Sequence, residues 1–262
     1  MPQPRGILFD MDGVLYVGDQ AVPGAAETLA WCRTREIPFL FLTNTSSRPR
    51  AALVEKLARL GITAREEEIL TPPVAARAWL ADHMDGPVAL FVPPATAGEF
   101  RDLPVAGRDA TSAAAVVVGD LGEEWDYATL NAAFRLLMTD PPATLVALGL
   151  TRYWQAPDGL RLDVGPYVKA LEYAAGCEAV VLGKPAAPFF RAALDALGLP
   201  AASVIMIGDD IRGDVAAAQA VGIRGILVRT GKFRPADLEG DIRPDAVLGS
   251  VGELPEWWQG ER

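Results

Sequence analysis

The sequence predicts an α/β protein built on a doubly wound parallel sheet, with a second α/β block inserted into it. Short, continuous apolar runs such as residues 7–9 and 203–207 are typical of strands that are buried on both faces of a sheet. Helical patterns separate these runs, as in parallel strands joined by crossover helices. Several runs end in polar residues, and the carboxyl ends of such strands are where open α/β sheets bind ligands.

The predicted elements alternate along the first part of the chain. After the strand at residues 7–9, Pro23 is typical of the first turn of a helix that runs to about Arg35. A second buried strand follows at residues 37–43, and Pro49 opens the next helix. Thr71 is the predicted N-cap of a further helix that ends near His83. The closing part of the chain is predicted to add strands at residues 179–183, 203–207, 225–228 and 246–248.

The middle of the chain has an α/β pattern of its own. Predicted strands lie at residues 88–92, 113–118 and 144–148, with helices over residues 127–138 and 165–176. A block with its own strands and helices can form a separate core. We therefore predict a first core segment at residues 1–83, an insert at 84–178 and a second core segment at 179–262.

The composition excludes several classes of protein. Half of the 262 residues are hydrophobic, and the net charge of −10 argues against general binding to nucleic acids or anionic membranes. Cys32 and Cys177 lie far apart, so neither a disulfide framework nor a cysteine zinc site is expected. No apolar run is long enough to span a bilayer and the first strand begins at once, so a cytoplasmic location without membrane partners is expected.

The first strand ends in the motif Asp10-Met11-Asp12-Gly13. In an extended chain residues i and i+2 point the same way, so Asp10 and Asp12 can face one site. Two such carboxylates repel each other unless a cation or a proton is present. A simple Asp-Gly turn is the alternative interpretation, but that turn needs only one acid.

Polar residues follow four of the predicted strands: Asp10 and Asp12, then Thr43 and Asn44, then Lys184, then Asp209 and Asp214. A hydroxyl group and backbone amides can hold phosphoryl oxygens, and a lysine neutralises their charge. Asp10 and Asp209 can hold Mg²⁺, a hard cation that prefers oxygen ligands. The set therefore indicates phosphate chemistry at one edge of the sheet.

In this order, the four motifs resemble those of the haloacid dehalogenase superfamily of phosphotransferases, and the resemblance runs from about Gly6 to Ser250. It implies a Rossmann-like core, and the insert is similar to the class II cap. The phrases LTNTSSRPR, ILTP and VLGKP resemble the NagD-type subgroup. The phrases LDVGPYVKALEYAAG, IMIGDDIRGDV and VRTGKFRPADLE resemble the phospholysine phosphohistidine inorganic pyrophosphate phosphatases and the hydrolase-domain-2 proteins.

The resemblance implies a role for each motif residue. Asp10 would be the nucleophile that forms an aspartyl-phosphate, and Asp12 the general acid and then the base. The animal relatives carry a non-acidic residue in place of the second acid, which is intact here. The other implied roles are phosphoryl binding by Thr43 and the Asn44 amide, charge stabilisation by Lys184, positioning of Lys184 by Asp214, and Mg²⁺ binding by Asp209, the Asp10 carboxylate and the Asp12 carbonyl.

The predicted function is that of a Mg²⁺-dependent phosphatase acting on a small phosphorylated metabolite. A covering domain limits bulky substrates, but sugar phosphates, nucleotides, pyrophosphate and phosphoamino acids all remain open. The alternative is a phosphate-accepting regulatory or binding module without efficient turnover. It is disfavoured because the acidic loop with Asp209 comes after Lys184 and the chain is about twice too long. Similar proteins form dimers through their caps, so whether this chain forms a homodimer remains open.

Weaker candidates have two interpretations each. Asp210 either tunes the metal site or caps the following helix. Arg48 and Arg212 either meet an anionic substrate or lie solvated at the surface. Tyr153, Trp154 and Asp163 form a substrate-facing rim, with residues 163–165 as a lowered loop, or the two aromatics pack in the core of the insert. Residues 230–232 are interpreted as a loop, since the upstream glycine of a phosphate-binding P-loop is missing.

Overall fold

The computed structural model describes residues 3–107, 109–156 and 158–260. The strands in chain order are β1 (Gly6–Asp10), β2 (Tyr16–Val17), β3 (Gln20–Ala21), β4 (Phe39–Leu42), β5 (Ile69–Leu70), β6 (Val88–Phe91), β7 (Val105–Ala106), β8 (Ala115–Val118), β9 (Thr144–Ala147), β10 (Tyr153–Ala156), β11 (Gly159–Leu162), β12 (Val180–Val181), β13 (Val204–Gly208), β14 (Arg224–Val228) and β15 (Ala246–Leu248).

The α-helices are α1 (Ala25–Thr34), α2 (Arg50–Arg59), α3 (Pro72–His83), α4 (Pro94–Ala97), α5 (Tyr127–Leu137), α6 (Val164–Ala175), α7 (Ala187–Leu197), α8 (Ala217–Gln219) and α9 (Leu254–Gly260). A π-helical segment, Ile211–Ala216, precedes α8. Short 3₁₀ turns lie at Glu66–Glu68, Gly98–Phe100, Gly122–Glu124, Ala201–Ser203, Pro235–Leu238 and Val251–Glu253. Within the described ranges, every helix is too short or too polar to cross a membrane.

The first unit contains a parallel sheet with the strand order β15-β14-β13-β1-β4-β5. Every residue of β1 and β13 is buried, which explains why both strands are continuous apolar runs in the sequence. The helices cover the sheet, and the core under α1 and α9 includes Leu29 and Trp258. The predicted α/β fold with a doubly wound parallel sheet is confirmed.

The second unit contains its own parallel sheet, ordered β12-β9-β8-β6-β7. Its core packs Val116 and Leu145 of that sheet against Leu136 of α5 and Val168 of α6. Strands β10 and β11 form a separate antiparallel hairpin that the sequence did not predict.

The division of the chain differs from the predicted segments at three places, residues 44–49, 71–83 and 179–183. Contacts group Met1–Thr43, Arg50–Leu70 and Lys184–Arg262 in the first unit, and Asn44–Pro49 with Thr71–Gly183 in the second. Helix α3 therefore belongs with the insert, although the insert was expected to begin at residue 84.

The strand predicted at residues 179–183 also lies in the second unit rather than in the core sheet. Val180 pairs with Val146 and Val181 with Ala147, both of β9. An apolar run shows that a segment is a buried strand, but it does not show which of two parallel sheets that strand joins. Lys184 thus follows a strand of the second sheet and begins the last segment of the first unit.

The helix starts follow simple local rules. The Thr71 side chain accepts the backbone N–H of Val74 at 3.5 Å, which confirms the predicted N-cap of α3. Helix α1 begins two residues after Pro23, because Gly24 takes the N-cap position with a φ of 86°. His83 ends α3 and stacks on Trp79, as expected for an exposed residue at a helix end.

Candidate active site

The candidate site lies at the carboxyl edge of the first sheet, where three neighbouring strands end. Strand β1 lies between β13 and β4, with Phe9 opposite Ile207 and Asp10 opposite Leu42. Asp10 therefore ends β1, while Thr43 and Asp209 come shortly after β4 and β13. Because the strands are parallel, these three residues lie at the same edge of the sheet.

A buried ion-pair cluster joins the first, third and fourth motifs. The Lys184 Nζ atom lies 2.5 Å from Asp10 Oδ1 and 2.8 Å from Asp214 Oδ1. The side chains of Lys184, Asp10 and Asp214 are only 7%, 9% and 2% exposed. One ammonium group is thus shared by two buried carboxylates from distant parts of the sequence.

Burial and mutual charge shift the pKa values in this cluster. Burial raises the pKa of Asp10, and the Lys184 ammonium opposes that rise. Burial raises the pKa of Asp214 to about 6, again against the attraction of Lys184. Burial alone would lower the pKa of Lys184, but the two carboxylates outweigh it and raise that pKa. Lys184 therefore keeps its charge, and that charge favours the ionised form of Asp10.

Asp209 is the fourth member of the site and is almost fully buried. Its Oδ2 atom accepts the backbone N–H of Lys232 at 2.6 Å. Its Oδ1 atom is buried and has no hydrogen-bond partner among the described residues. Burial also raises the pKa of Asp209. An orphaned carboxylate oxygen of this kind requires an explanation, and a bound cation is one.

The acids at this edge fit a divalent cation. Asp10, Asp209 and Asp214 each offer one carboxylate oxygen within 4.8 Å of the others. Both oxygens of Asp214 are engaged, one by Lys184 and the other by the Asp210 amide at 3.3 Å. Asp10 and Asp209 are therefore the better ligands, and carboxylate oxygens suit Mg²⁺.

Two glycines allow the backbone to approach Asp209 closely. Gly13 has a φ of +91° and Gly231 a φ of +60°, conformations that favour glycine. A Cβ atom on Gly13 would lie 1.9 Å from Asp209 Oδ2, and one on Gly231 would lie 2.0 Å from it. Gly13 was expected to allow a turn; its closeness to Asp209 was not foreseen.

The loop at residues 230–232 is a part of the site that the sequence did not identify. It was expected to be a loop without a P-loop function, and it does form the connection after β14. However, the Thr230 hydroxyl donates to the Gly13 carbonyl at 2.5 Å, and the Lys232 amide bonds Asp209. Main-chain contacts of this kind do not require a particular side chain, so they leave no motif in the sequence. The sequence offers as a signal the pair Thr230-Gly231 shortly after β14.

The other motif residues occupy different environments. The Asp12 side chain is exposed in the turn after β1, where the Gly13 amide donates to the Tyr16 carbonyl. Thr43 is buried, and its amide donates to the Leu70 carbonyl at 3.3 Å. Asn44 is exposed and belongs to the second unit.

Three weaker candidates, Asp210, Arg48 and Arg212, lie near the motifs. The Asp210 Oδ1 atom accepts the amides of Arg212 and Gly213 at 3.0 and 2.8 Å, so Asp210 caps the π-helical segment. Arg48 and Arg212 are both exposed, which agrees with either of their two interpretations.

The candidate rim residues lie in the second unit. Tyr153 and Trp154 are 49% and 43% exposed on the β10–β11 hairpin, so neither packs in the core of the insert. Trp154 lines a cavity of about 360 Å³ with Trp125 and Tyr167. Asp163 caps α6 by accepting the Val164 amide at 2.6 Å, and burial raises its pKa. Residues 163–165, which one interpretation made a lowered loop, are the N-cap and first two residues of α6.

Comparison with known families identifies the class. Residues 7–105 match the model of the haloacid dehalogenase-like hydrolases, and residues 181–254 match a HAD-hydrolase-like model. The human phospholysine phosphohistidine inorganic pyrophosphate phosphatase is 41% identical over 95% of this chain and 92% of its own. The bovine haloacid dehalogenase-like hydrolase domain-containing protein 2 is also 41% identical, over 93% and 91% of the two chains.

Solved structures agree with this class. The p-nitrophenyl phosphatase from Archaeoglobus fulgidus matches with a TM-score of 0.85 and 28% identity, covering 98% of this chain and 100% of its own. NagD from E. coli K-12 matches with a TM-score of 0.85 over 96% and 98% of the chains, and at 23% identity it shows the shared fold alone.

The chain therefore belongs to the haloacid dehalogenase-like hydrolases. Its resemblance to the two animal groups that share its longer motifs is confirmed, and it shares the fold of NagD. Membership of a family whose relatives are named phosphatases supports phosphatase activity.

Proposed function

We propose that this chain is a Mg²⁺-dependent phosphatase that acts on a small phosphorylated metabolite through an aspartyl-phosphate on Asp10. The observation that carries the proposal is the buried cluster in which Lys184 bridges Asp10 and Asp214, beside Asp209 with its orphaned oxygen. Relatives named as phosphatases for phospholysine, phosphohistidine, pyrophosphate and p-nitrophenyl phosphate support the reaction class.

In the first step, a carboxylate oxygen of Asp10 attacks phosphorus and the bond to the leaving oxygen breaks. Attack needs the ionised form of Asp10, and the adjacent Lys184 ammonium favours that form against the effect of burial. Asp214 holds Lys184 through a 2.8 Å ion pair, so it acts as a positioning residue.

Asp12 carries the proton in both steps. As a carboxylic acid, it gives its proton to the leaving oxygen as that oxygen departs. As a carboxylate, it then takes a proton from the water that attacks phosphorus and breaks the bond to Asp10. The proton that Asp12 takes from the attacking water thus replaces the one that it gave to the leaving oxygen. After the second step, Asp10 and Asp12 have returned to their starting states.

The phosphoryl oxygens are held by groups that match their charge. We assign them to the Thr43 hydroxyl, the Asn44 amide and the Lys184 ammonium. The Asp10 and Asp209 carboxylates and the Asp12 carbonyl would hold Mg²⁺, and Asp209 Oδ1 is the oxygen best suited because nothing else among the described residues bonds it. When bound, Mg²⁺ would neutralise charge on the transferring phosphoryl group.

The direct test uses the purified protein with p-nitrophenyl phosphate, with and without Mg²⁺. We expect hydrolysis that needs Mg²⁺, and loss of at least about 1,000-fold in kcat for Asp10→Asn, because a nucleophile is removed. Full activity of Asp10→Asn would exclude the proposed mechanism. A stable phosphorylated protein without turnover would favour the phosphate-accepting module instead. A screen of phosphorylated metabolites ranked by kcat/KM then identifies the leaving group.

A further inference from the structure

The loop at residues 230–232, which follows β14, lies directly against Asp209. The backbone N–H of Lys232 donates to Asp209 Oδ2 at 2.6 Å. Because this donor belongs to the main chain, it stays in place whatever conformation the exposed Lys232 side chain takes. One oxygen of Asp209 is therefore held by the path of the loop itself.

The same loop is tied to the turn after β1. The Thr230 hydroxyl donates to the Gly13 carbonyl at 2.5 Å. Between these two bonds, a Cβ atom on Gly231 would lie 2.5 Å from Gly13 Cα and 2.0 Å from Asp209 Oδ2. The Asp209 carboxylate is thus enclosed between two glycines, one after β1 and one after β14.

The enclosure leaves the two oxygens of Asp209 in different states. Oδ2 has its amide donor, whereas Oδ1 is buried and has no hydrogen-bond partner within the described residues. Asp10 and Asp214 bring carboxylate oxygens within 4.8 Å of an Asp209 carboxylate oxygen. Fixing Oδ2 fixes the orientation of the whole carboxylate, so the loop determines which oxygen remains available as a ligand.

We propose that the loop at residues 230–232 is the positioning element for Asp209, and that Thr230 and Gly231 set the affinity of the site for Mg²⁺. The inference rests on the proposed function, in which Asp209 binds that cation. Neither residue touches substrate or metal: Thr230 acts through the Gly13 turn, and Gly231 acts by leaving room for the carboxylate.

The test measures Mg²⁺ binding to the metal-free full-length protein by isothermal titration calorimetry. We expect Thr230→Val to raise the Kd for Mg²⁺ roughly three- to tenfold, the effect of losing about one hydrogen bond. Thr230→Ser keeps the hydroxyl and should restore the wild-type Kd. Gly231→Ala should raise it further, because its methyl group needs the space that Asp209 Oδ2 fills.

Thr28→Val is the matched control. The Thr28 hydroxyl also donates to a backbone carbonyl, that of Val251 at 3.1 Å, and it is buried in the first unit. Its loss should lower the thermal midpoint by an amount similar to Thr230→Val and leave the Kd for Mg²⁺ unchanged. Circular dichroism confirms folding of each variant; if Gly231→Ala does not fold, the Thr230 pair decides the question.

The outcomes separate this inference from the proposed function. If Asp209→Asn abolishes Mg²⁺ binding while Thr230→Val binds as tightly as the wild type, the loop does not position Asp209 and the metal assignment stands. If the wild-type protein does not bind Mg²⁺, or Asp209→Asn binds it normally, both are overturned. An equal rise in Kd for Thr28→Val would show a general loss of stability and would also overturn the role of the loop.

Discussion

Asp10 and Asp12 lie two residues apart, but their environments suit different tasks. Asp10 is buried and paired with Lys184, whose charge favours the carboxylate. Asp12 is exposed in the turn after β1. A nucleophile must remain ionised, whereas a general acid must carry a proton when the leaving group departs. The ion pair with Lys184 supports assigning the first role to Asp10, and the family resemblance assigns the second to Asp12.

We therefore expect Asp12→Asn to lower kcat for p-nitrophenyl phosphate by about 100- to 10,000-fold, the usual contribution of general acid–base catalysis. The Kd for Mg²⁺ should stay within about twofold of the wild type, since the variant keeps the backbone carbonyl. Steady-state kinetics and titration calorimetry measure the two effects. Asp19→Asn, another exposed acid near this turn, is the control and should change neither. Wild-type turnover by Asp12→Asn would exclude its acid–base role.

The side-chain motifs could be predicted from the sequence, whereas the main-chain contacts could not. Asp10, Lys184 and Asp214 come together, although the strand before Lys184 belongs to the second sheet. The contact from Lys232 uses an amide that every residue except proline has, so it leaves no trace in residue type. Close approach at Gly231 leaves only a glycine, which is common in loops for other reasons.

At the scale of the element, Asp210 begins the helical segment that carries Asp214. Its Oδ1 atom accepts two backbone amides that would otherwise lack partners. The Asp214 amide donates to the Asp210 carbonyl at 3.0 Å, so the cap and the positioning residue belong to one turn. Asp210 thereby supports the site through the helix start.

We expect Asp210→Ala to lower the free energy of unfolding by about 1 kcal/mol, the usual effect of losing an N-cap, and Asp210→Asn to lower it much less. Urea denaturation measures both. Asp126 caps α5, since its Oδ1 atom accepts the Thr129 amide at 2.7 Å. Asp126→Ala should therefore lower the free energy of unfolding by a similar amount. If Asp210→Ala instead had a higher Kd for Mg²⁺ and unchanged stability, Asp210 would have a role in tuning the metal site.

Strands with continuous apolar patterns were predicted well. The sheet that a strand joins, and a hairpin with exposed side chains, were not predicted, because they depend on which segments pair. Strands β1 and β13 are buried throughout and appear clearly in the sequence. Strand β12 was recognised as a strand but assigned to the wrong sheet, since its apolar residues suit either one. The β10–β11 hairpin carries Tyr153 and Trp154 exposed, so burial imposes no periodic pattern on it.

At the scale of the whole molecule, each of the two units has its own sheet, its own core and one cysteine. Cys32 is fully buried in the core of the first unit. Cys177 is partly exposed and packs against the core of the second unit. Burial raises the pKa of Cys32 to about 12 and also raises the pKa of Cys177. The two thiols therefore report separately on the two cores.

We expect Ellman's reagent to label Cys177 in the native protein at pH 8 while Cys32 stays protected. With its pKa raised from 9.0 to about 12, Cys32 has a thiolate fraction about 1,000-fold below that of the unfolded chain, and its burial denies the reagent access. In Cys177→Ser, labelling should be slow in buffer and fast in urea. Rapid native labelling of that variant would show that the core around Cys32 is open.

In Cys32→Ala, the remaining thiol reports on the second unit. Because labelling rates follow the free energy of local opening, coincident urea dependences in the two variants would mean that both units unfold as one cooperative structure.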